Sequence, residues 1–568
     1  MSFRTLLLTI TAAVALCVPA VADAAPTTEQ RAQLLGDYLA GSYARYLNDP
    51  RAQSRYFQDA YAIAPDDVRL GRLALYSALF SGDQALARKT AQKVLKQNST
   101  ESFARAVMTA DAMSRGRSAR VKKYAAAPTS DVTMGIAMTI MAGWNDVDEG
   151  RLDSARKRFS TLGGGEYFRR HGQLQIAKLE ARAGNDDAAE AAFNAVDAVQ
   201  FAPLEYTLSR ARFEAGRGDT ARARELLEAQ IESNPAAIVG PAGAYLERLD
   251  AGKPLPKVSI RAETASALTE PAFAFFMQAD SEDGAETYLR LARWIDPDLD
   301  RTRIWLGGLL DQIRPETDED ARSEMLALYS GIEPSSPYFV SAELASTNIL
   351  FQREQTEEAM ARLERLAETH PSYYTREALG RTRFFEEDWE GALPFYTDLV
   401  ETLGEDALRA NPEPLRLRGI IYERLDRWAE AEADMKRVLE YTPDDSDTLN
   451  YLGYTWVDRG ENLEEAFEMI ERALELEPQS GAITDSLGWA HYKLGRYTQA
   501  TRYLEDAVVL TPYSATIIDH LGDAYWRIGK RREATYQWKR ALEYDPTDEE
   551  RATIESKLAA GRNAVPAQ

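Results

Sequence analysis

Between residues 446 and 548 the apolar positions fall into paired blocks of helical length, and every pair follows one design. Leu452-Gly453, Leu487-Gly488 and Leu521-Gly522 stand in the first block of each pair, and Gly460, Gly495 and Gly529 end it. Ala466, Ala500 and Ala534 stand in the second block, and Pro478, Pro512 and Pro546 close the pairs at intervals of 34 residues. The pattern predicts helical hairpins. A glycine within the first helix carries no Cβ, so the second helix can approach its backbone closely. The alanine allows the same approach from the other side. The mid-pair glycine, as in Leu494-Gly495-Arg496-Tyr497, ends the first helix in a left-handed conformation. The closing proline cannot continue a helix. One hairpin cannot bury its own apolar face, whereas a stack of hairpins buries a continuous core.

A period of 34 with Leu-Gly, a large residue three positions on, Ala and a closing Pro resembles the tetratricopeptide repeat. The resemblance implies an all-α, right-handed α-solenoid with a binding groove and no built-in catalytic site. The skeleton recurs upstream with more noise. Gly419, Tyr422, Ala431 and Pro443 mark one unit, Gly380 with Ala392 another, Ala359 with Pro371 a third. Trp305-Leu306-Gly307 with Pro334, and Ala285, Ala292 and Pro297, mark two more. In the first half a glycine-to-alanine step of five recurs at Gly218/Ala223, Gly184/Ala189, Gly150/Ala155 and Gly82/Ala87, and Gly41 with Pro65 opens the series. The total comes to about a dozen units, with the one at 102–130 barely legible. The expected organisation is a divergent arm at 25–252, a linker or long loop at 253–257 (Lys253-Pro254-Leu255-Pro256-Lys257), middle repeats at 258–411 and well-formed repeats at 412–548. A capping helix and tail follow at 549–568.

The N-terminus reads as a signal peptide over 1–24. Arg4 precedes an apolar run from Leu6 to Val18, and Ala22-Asp23-Ala24 offers small residues for cleavage. The run is too short for an ordinary membrane span. Cys17 is the only cysteine and would leave with the signal, so the mature chain would hold no disulfide or thiol nucleophile. Leu16 occupies the place before Cys17 where a lipid-modified cysteine needs a small residue, so the expectation is soluble export to the periplasm rather than lipid anchoring. The formal charge of −23 argues against nucleic-acid partners and against docking on an anionic membrane. One local exception is the cluster Arg527, Lys530, Arg531, Arg532, Lys539 and Arg540, opposed mainly by Glu533. It reads either as a solvated helix end or as a patch for an acidic segment or anionic polymer.

The residue types for catalysis do not converge. His171, His370, His491 and His520 lack a second ligand at metal-binding helical spacing, and no phosphate loop, nucleophile elbow or His-Glu-x-x-His occurs. The reading is a non-enzyme with no cofactor and no metal. In repeats of the kind this chain resembles, the first helix of each unit lines the concave groove with roughly its second, fifth, ninth, twelfth and thirteenth positions. Counting these onto the best units gives a candidate partner-binding groove of Asn450, Tyr454, Asp485, Trp489, Tyr492, Asp519, Asp523, Trp526 and Arg527. Rings beside amides and carboxylates suit an extended peptide. Trp456 and His491 fall at packing positions instead.

Asn450-Tyr451-Leu452-Gly453-Tyr454, Asp485-Ser486-Leu487-Gly488-Trp489 and Asp519-His520-Leu521-Gly522-Asp523-Ala524-Tyr525-Trp526 also look like a signature of exported Gram-negative repeat adaptors. One such class binds a carboxyl-terminal-processing protease and delivers substrates, including cell-wall hydrolases, but is lipid-anchored, whereas this chain lacks a good lipobox. The expected function is a periplasmic protein-interaction scaffold or adaptor. The alternatives are an assembly factor for envelope or polysaccharide machinery, and an enzyme with a site in an irregular 240–345 region.

Overall fold

The computed structural model of the chain describes residues 26–126, 129, 131–163, 165–196, 204–234, 240–276, 282–314 and 317–563. Among these, every regular element is an α-helix and none is a strand. The fold is all-α, built of helical hairpins laid one on the next. The expected signal segment with Cys17, and the chain end beyond Asn563, lie outside the described residues. The chain divides into two compact units, one up to Leu366 and one from Ala367.

In the second unit the hairpins run Tyr373–Phe385 with Trp389–Ala410, Glu413–Arg424 with Trp428–Tyr441, Ser446–Arg459 with Leu463–Leu476, Gly481–Lys493 with Tyr497–Leu510, and Ala515–Arg527 with Arg531–Ala541. Helix Asp548–Asn563 closes the stack. The starts are set by side-chain caps at equivalent places: Asp445 accepts from the Thr448 N–H at 2.8 Å, Ser480 from Ile483 at 3.3 Å and Ser514 from Ile517 at 3.4 Å. The first helices end at Gly460, Gly495 and Gly529, all left-handed, with φ of 71°, 74° and 85°. Within each hairpin the approach is as close as the glycines allow. A Cβ on Gly453 would lie 2.8 Å from Ile470, one on Gly488 2.7 Å from Leu504, and one on Gly522 2.5 Å from Trp538. Ala466, Ala500 and Ala534 are fully buried at the same seams. Leu452, Leu487, Leu504 and Leu521 fill the layers between, each contributing about 1.5–3 kcal/mol by burial.

The first unit opens with six hairpins: Thr28–Tyr46 with Pro50–Ile63, Val68–Phe80 with Gln84–Gln97, Ser102–Ser114 with Ser118–Ala125, Val132–Asp148 with Leu152–Ser160, Glu166–Ala183 with Asp186–Val196, and Leu204–Gly216 with Thr220–Ser233. Gly82, Gly116, Gly150, Gly184 and Gly218 make their turns, all with positive φ. Helices Ile260–Phe276 and Glu282–Ile295 then double back onto the first helices of four of these hairpins, Val68–Phe80, Ser102–Ser114, Val132–Asp148 and Glu166–Ala183. The Tyr288 hydroxyl donates to the Thr133 carbonyl at 2.6 Å, and Tyr167 to the Glu270 carbonyl at 2.8 Å. The face that would line a groove in this arm is thus covered by the chain itself.

The irregular 240–345 region expected from the sequence is instead helical: Pro241–Asp250, Ile260–Phe276, Glu282–Ile295, Asp300–Ile313, Glu319–Ser330 and the start of Phe339–Gln352 occupy it. It reads as irregular because Ile260–Phe276 is buried nearly all round, so no polar face alternates with an apolar one, whereas Glu282–Ile295 keeps the register marked by Ala285 and Ala292. Their buried charges meet cations or carboxylates from other helices. Lys178 bridges Glu205 (2.7 Å) and Glu263, Arg301 bridges Glu205 (2.6 Å) and Glu270, and Glu286 holds Arg290 (2.7 Å) and Arg314 (2.6 Å). Residues 253–259 form a non-helical loop inside this unit, tied by Arg248 to the Pro254 carbonyl at 2.7 Å and by Arg182 to the Val258 carbonyl at 2.9 Å.

Ala500 has no exposed surface at its seam. Ala500→Leu is expected to overpack it and destabilise the second unit by about 1–3 kcal/mol, read as a lowered melting temperature of the full chain. An unchanged melting curve would mean that the helices do not meet at this residue.

Candidate peptide-binding groove

The first helices of successive hairpins touch one another directly, Ser446–Arg459 against Gly481–Lys493 and that helix against Ala515–Arg527. Because each is offset by one period, their fifth and ninth positions come into line. The resulting row is connected across the hairpins. The Asp485 carboxylate is buried and bonded through both oxygens to His520 Nδ1 at 3.0 Å. The His520 ring lies flat against Trp489, centroids 4.0 Å apart and planes 14° apart, and Tyr492 stacks on the other side of Trp489 at 4.6 Å and 4°. Arg527 Nε donates to the Tyr492 hydroxyl at 3.1 Å. Further along, Lys557 of the closing helix reaches Asp519 at 2.7 Å and Asp523 at 2.8 Å. Lys557 stands 34 residues after Asp523, so the closing helix keeps the repeat register and supplies a ninth-position side chain of its own.

The nine expected residues are therefore on neighbouring helices, but they do not form one exposed surface. Tyr454, Trp489, Tyr492 and Asn450 are half-buried and Arg527 is exposed. Asp485 is buried and engaged by His520, so it offers a ligand little. Trp526 differs most from a groove-facing ring. It packs beside Trp538 at 5.2 Å with the Arg531 guanidinium 3.6 Å over its face. Asp523 also accepts from Trp538 Nε1 at 3.0 Å. Trp456 is fully buried, and His491 is buried between Phe467 and Tyr503, with centroids 5.0 and 5.2 Å away. His520 and Lys557 were missed by the sequence reading. The signal available for both was a basic residue lying 34 or 35 positions after a groove carboxylate.

The electrostatics of the row follow from burial. Burial and the neighbouring Asp523 push the Asp519 carboxyl up, against the pull of Lys557. Burial, with Asp485, Asp458 and Glu550 close by, pushes the Tyr454 hydroxyl up. Burial alone would lower the His520 pKa, but Asp485, aided by Asp519 and Asp523, raises it above the ordinary histidine value. In the first unit, burial would raise the Glu205 carboxyl, yet Lys178, Arg301 and Arg212 together hold it well below the usual range. Glu205 is thus a fixed anion in an ion network, suited to holding helices together rather than to donating a proton.

A tetratricopeptide-repeat family model matches residues 416–481 and 458–515. A TPR repeat-containing protein of Pseudomonas aeruginosa is 31% identical over 204 residues, which cover 34% of this chain and 32% of that protein. Among solved structures, a tetratricopeptide repeat protein from Parabacteroides merdae is similar with a TM-score of 0.34 and 17% identity, covering 53% of this chain and 99% of that one. A thermophilic TPR protein of Thermus thermophilus is similar with a TM-score of 0.28 and 21% identity, covering 34% of this chain and 100% of that one. Residues 416–515 are thus similar to tetratricopeptide repeats, and among the described residues no helix is long and apolar enough to cross a membrane.

Because the His520 pKa is raised on folding, its pairing with Asp485 contributes fully below the ordinary histidine value of about 6.5. The contribution is lost as pH rises through the higher folded value. Urea unfolding of the full chain and of His520→Gln, from about pH 6 to about pH 9, should show a wild-type advantage that shrinks with rising pH. An advantage that is constant or grows would contradict the pairing.

Proposed function

We propose that this protein is a non-enzymatic interaction scaffold that holds an extended peptide or a partner's exposed segment along the first helices of its second unit. The observation that carries this reading is the row of half-buried rings, Tyr454 and Trp489 at equivalent places on neighbouring helices and Tyr492 one turn beyond Trp489, beside Asn450, Asp458 and Arg527. Rings held in place by stacking lose little entropy when a ligand side chain covers them, and the flanking amide, carboxylate and guanidinium suit a peptide backbone. Lys557 supports the reading from within the chain. A side chain presented by an adjacent segment already sits on the fifth- and ninth-position carboxylates Asp519 and Asp523.

The finer proposal is that the scaffold acts in the periplasm and delivers captured substrates to a carboxyl-terminal-processing protease. It is supported by the export signal read at Ala22-Asp23-Ala24 and by the adaptor-like residues of the three best repeats, Asn450 to Trp526. Its core is a groove that recognises, with chemistry left to the partner.

A photocrosslinking residue at Tyr454 or Tyr492, compared with one at the exposed Glu468 on the opposite helix of the hairpin, tests the groove. Capture is expected from the first two and not from the third. Tyr454→Ala with Tyr492→Ala should weaken binding of the captured partner about tenfold or more with little change in helicity. Equal capture from Glu468, or unchanged affinity in the folded double variant, would place binding elsewhere. For the delivery step, faster cleavage of a captured substrate by such a protease when the scaffold is added is expected. An unchanged rate would leave a scaffold without that role.

A further inference from the structure

Arg532, Lys539 and Arg540 of the last hairpin's basic cluster belong to a second surface, on the second helix of the hairpin rather than on the groove helices. Helix Tyr497–Leu510 buries Ala500, Thr501, Leu504, Ala507 and Val508, and helix Arg531–Ala541 buries Ala534, Trp538 and Ala541. Their outward faces are expected to be polar, as solvated helix faces are. Exposed apolar side chains interrupt them and the turn after Leu510. Val509 is 78% exposed, Tyr513 72% and Tyr536 64%, with Leu510 partly covered between them. Arg532 and Lys539 stand exposed on the same outward face as Tyr536, one turn to either side. Arg540 ties the two helices together here. Its guanidinium donates to the Pro512 carbonyl at 2.6 Å and lies 5.6 Å from the Tyr544 ring, which meets Tyr513 at 5.4 Å.

The charges of this surface are left open. Six cations lie between Arg527 and Arg540 against one carboxylate, Glu533, in a chain whose net charge is −23. Arg527 and Arg531 are laid on Tyr492 and Trp526, toward the groove side. Arg532, Lys539 and Arg540 have no ion pair among the described residues, whereas the arginines of the two hairpins at 413–476 do. Asp506 and Glu543 border the patch and mark its limits.

We propose that this patch docks a short acidic amphipathic segment of a partner protein, its carboxylates on Arg532, Lys539 and Arg540 and its apolar side chains on Val509, Tyr513 and Tyr536. Charge complementarity selects an anion, and guanidinium groups pair well with carboxylates. The exposed aliphatic and aromatic half selects against a bare polyanion, which has nothing to place on it. The surrounding net negative charge also repels an extended phosphate polymer or an anionic bilayer, whose charge runs beyond the patch. The surface is separate from the proposed groove, so the two readings stand or fall independently.

The test uses the full chain and a fluorescein-labelled synthetic amphipathic helix with Glu along one face and Leu and Val along the other, followed by anisotropy. Saturable binding that weakens with added salt is expected. Arg532→Glu with Lys539→Glu should weaken it about tenfold or more, and Tyr513→Ala with Tyr536→Ala should weaken it as well. Tyr454→Ala with Tyr492→Ala should leave it unchanged. Arg532, Lys539, Tyr513 and Tyr536 are exposed, and a circular-dichroism melt confirms that each variant folds. Arg532→Ala with Lys539→Ala serves where charge reversal perturbs the melt. No binding of the acidic helix overturns the proposal. So does binding insensitive to the patch variants, or stronger binding of inorganic polyphosphate or of vesicles containing phosphatidylglycerol.

Discussion

The contact on which the rest of the structure depends is the approach of two helices across a glycine. In the second unit Gly453, Gly488 and Gly522 bring the first helix of a hairpin so close to Ile470, Leu504 and Trp538 that a single added carbon would overlap them. The first unit repeats the device with other partners, Gly143 against Phe159 and Gly307 against Tyr329. Close approach fixes the depth at which each hairpin interlocks, and that depth sets the offset between one hairpin and the next. Interiors packed at crystal-like density transmit such an offset without slack. The alignment of Asp485 with His520, and of Asp523 with Lys557, is a consequence: side chains 34 or 35 residues apart meet only if every intervening seam holds its spacing.

The two units put this stacking to different ends. In the second, each hairpin meets chiefly its neighbours, so stability accumulates locally and the faces of the first helices stay open to a ligand. In the first, helices Ile260–Phe276 and Glu282–Ile295 lie on those faces, locked by Lys178, Arg301, Glu205, Glu263 and Glu270. Removing one member of such a buried network costs about 3–5 kcal/mol, because the partner charge is left without compensation. A ligand would have to displace those helices and strand those charges. The proposed recognition is therefore assigned to the second unit, and the buried charges of the first bind the chain to itself.

The period of 34 and its glycine and alanine marks made the hairpins from 412 onward legible, and the glycine turns at Gly82, Gly150, Gly184 and Gly218 made much of the first arm legible too. The remaining hairpins were faint for a physical reason. Asn48, Glu354 and Glu387 take the left-handed turn that a glycine takes elsewhere, with φ between 58° and 60°. These residues accept a strain of about 1–2 kcal/mol, held by the stack around them. At 102–130 the alanine place is filled by Val121, fully buried, five residues after the left-handed Gly116. The helix Ile260–Phe276 was illegible because burial on all sides erases amphipathic alternation. The groove row was half legible. The register put Tyr454, Trp489, Tyr492 and Trp526 on first helices, but the packing of Trp526 against Trp538, and the partners His520 and Lys557, come from contacts that a repeat count does not reveal.

A double-mutant cycle on Gly488 and Leu504 tests most directly whether the glycine seam governs the stack. Gly488→Ala places a methyl group against the Leu504 side chain, and Leu504→Ala removes that side chain and opens room for it. Unfolding free energies of the full chain and the three variants give the coupling. The account predicts that each single substitution destabilises and that the double variant is more stable than their sum by about 1 kcal/mol or more. Strict additivity, or a Gly488→Ala variant as stable as the parent, would show that the helices do not meet where the glycine stands.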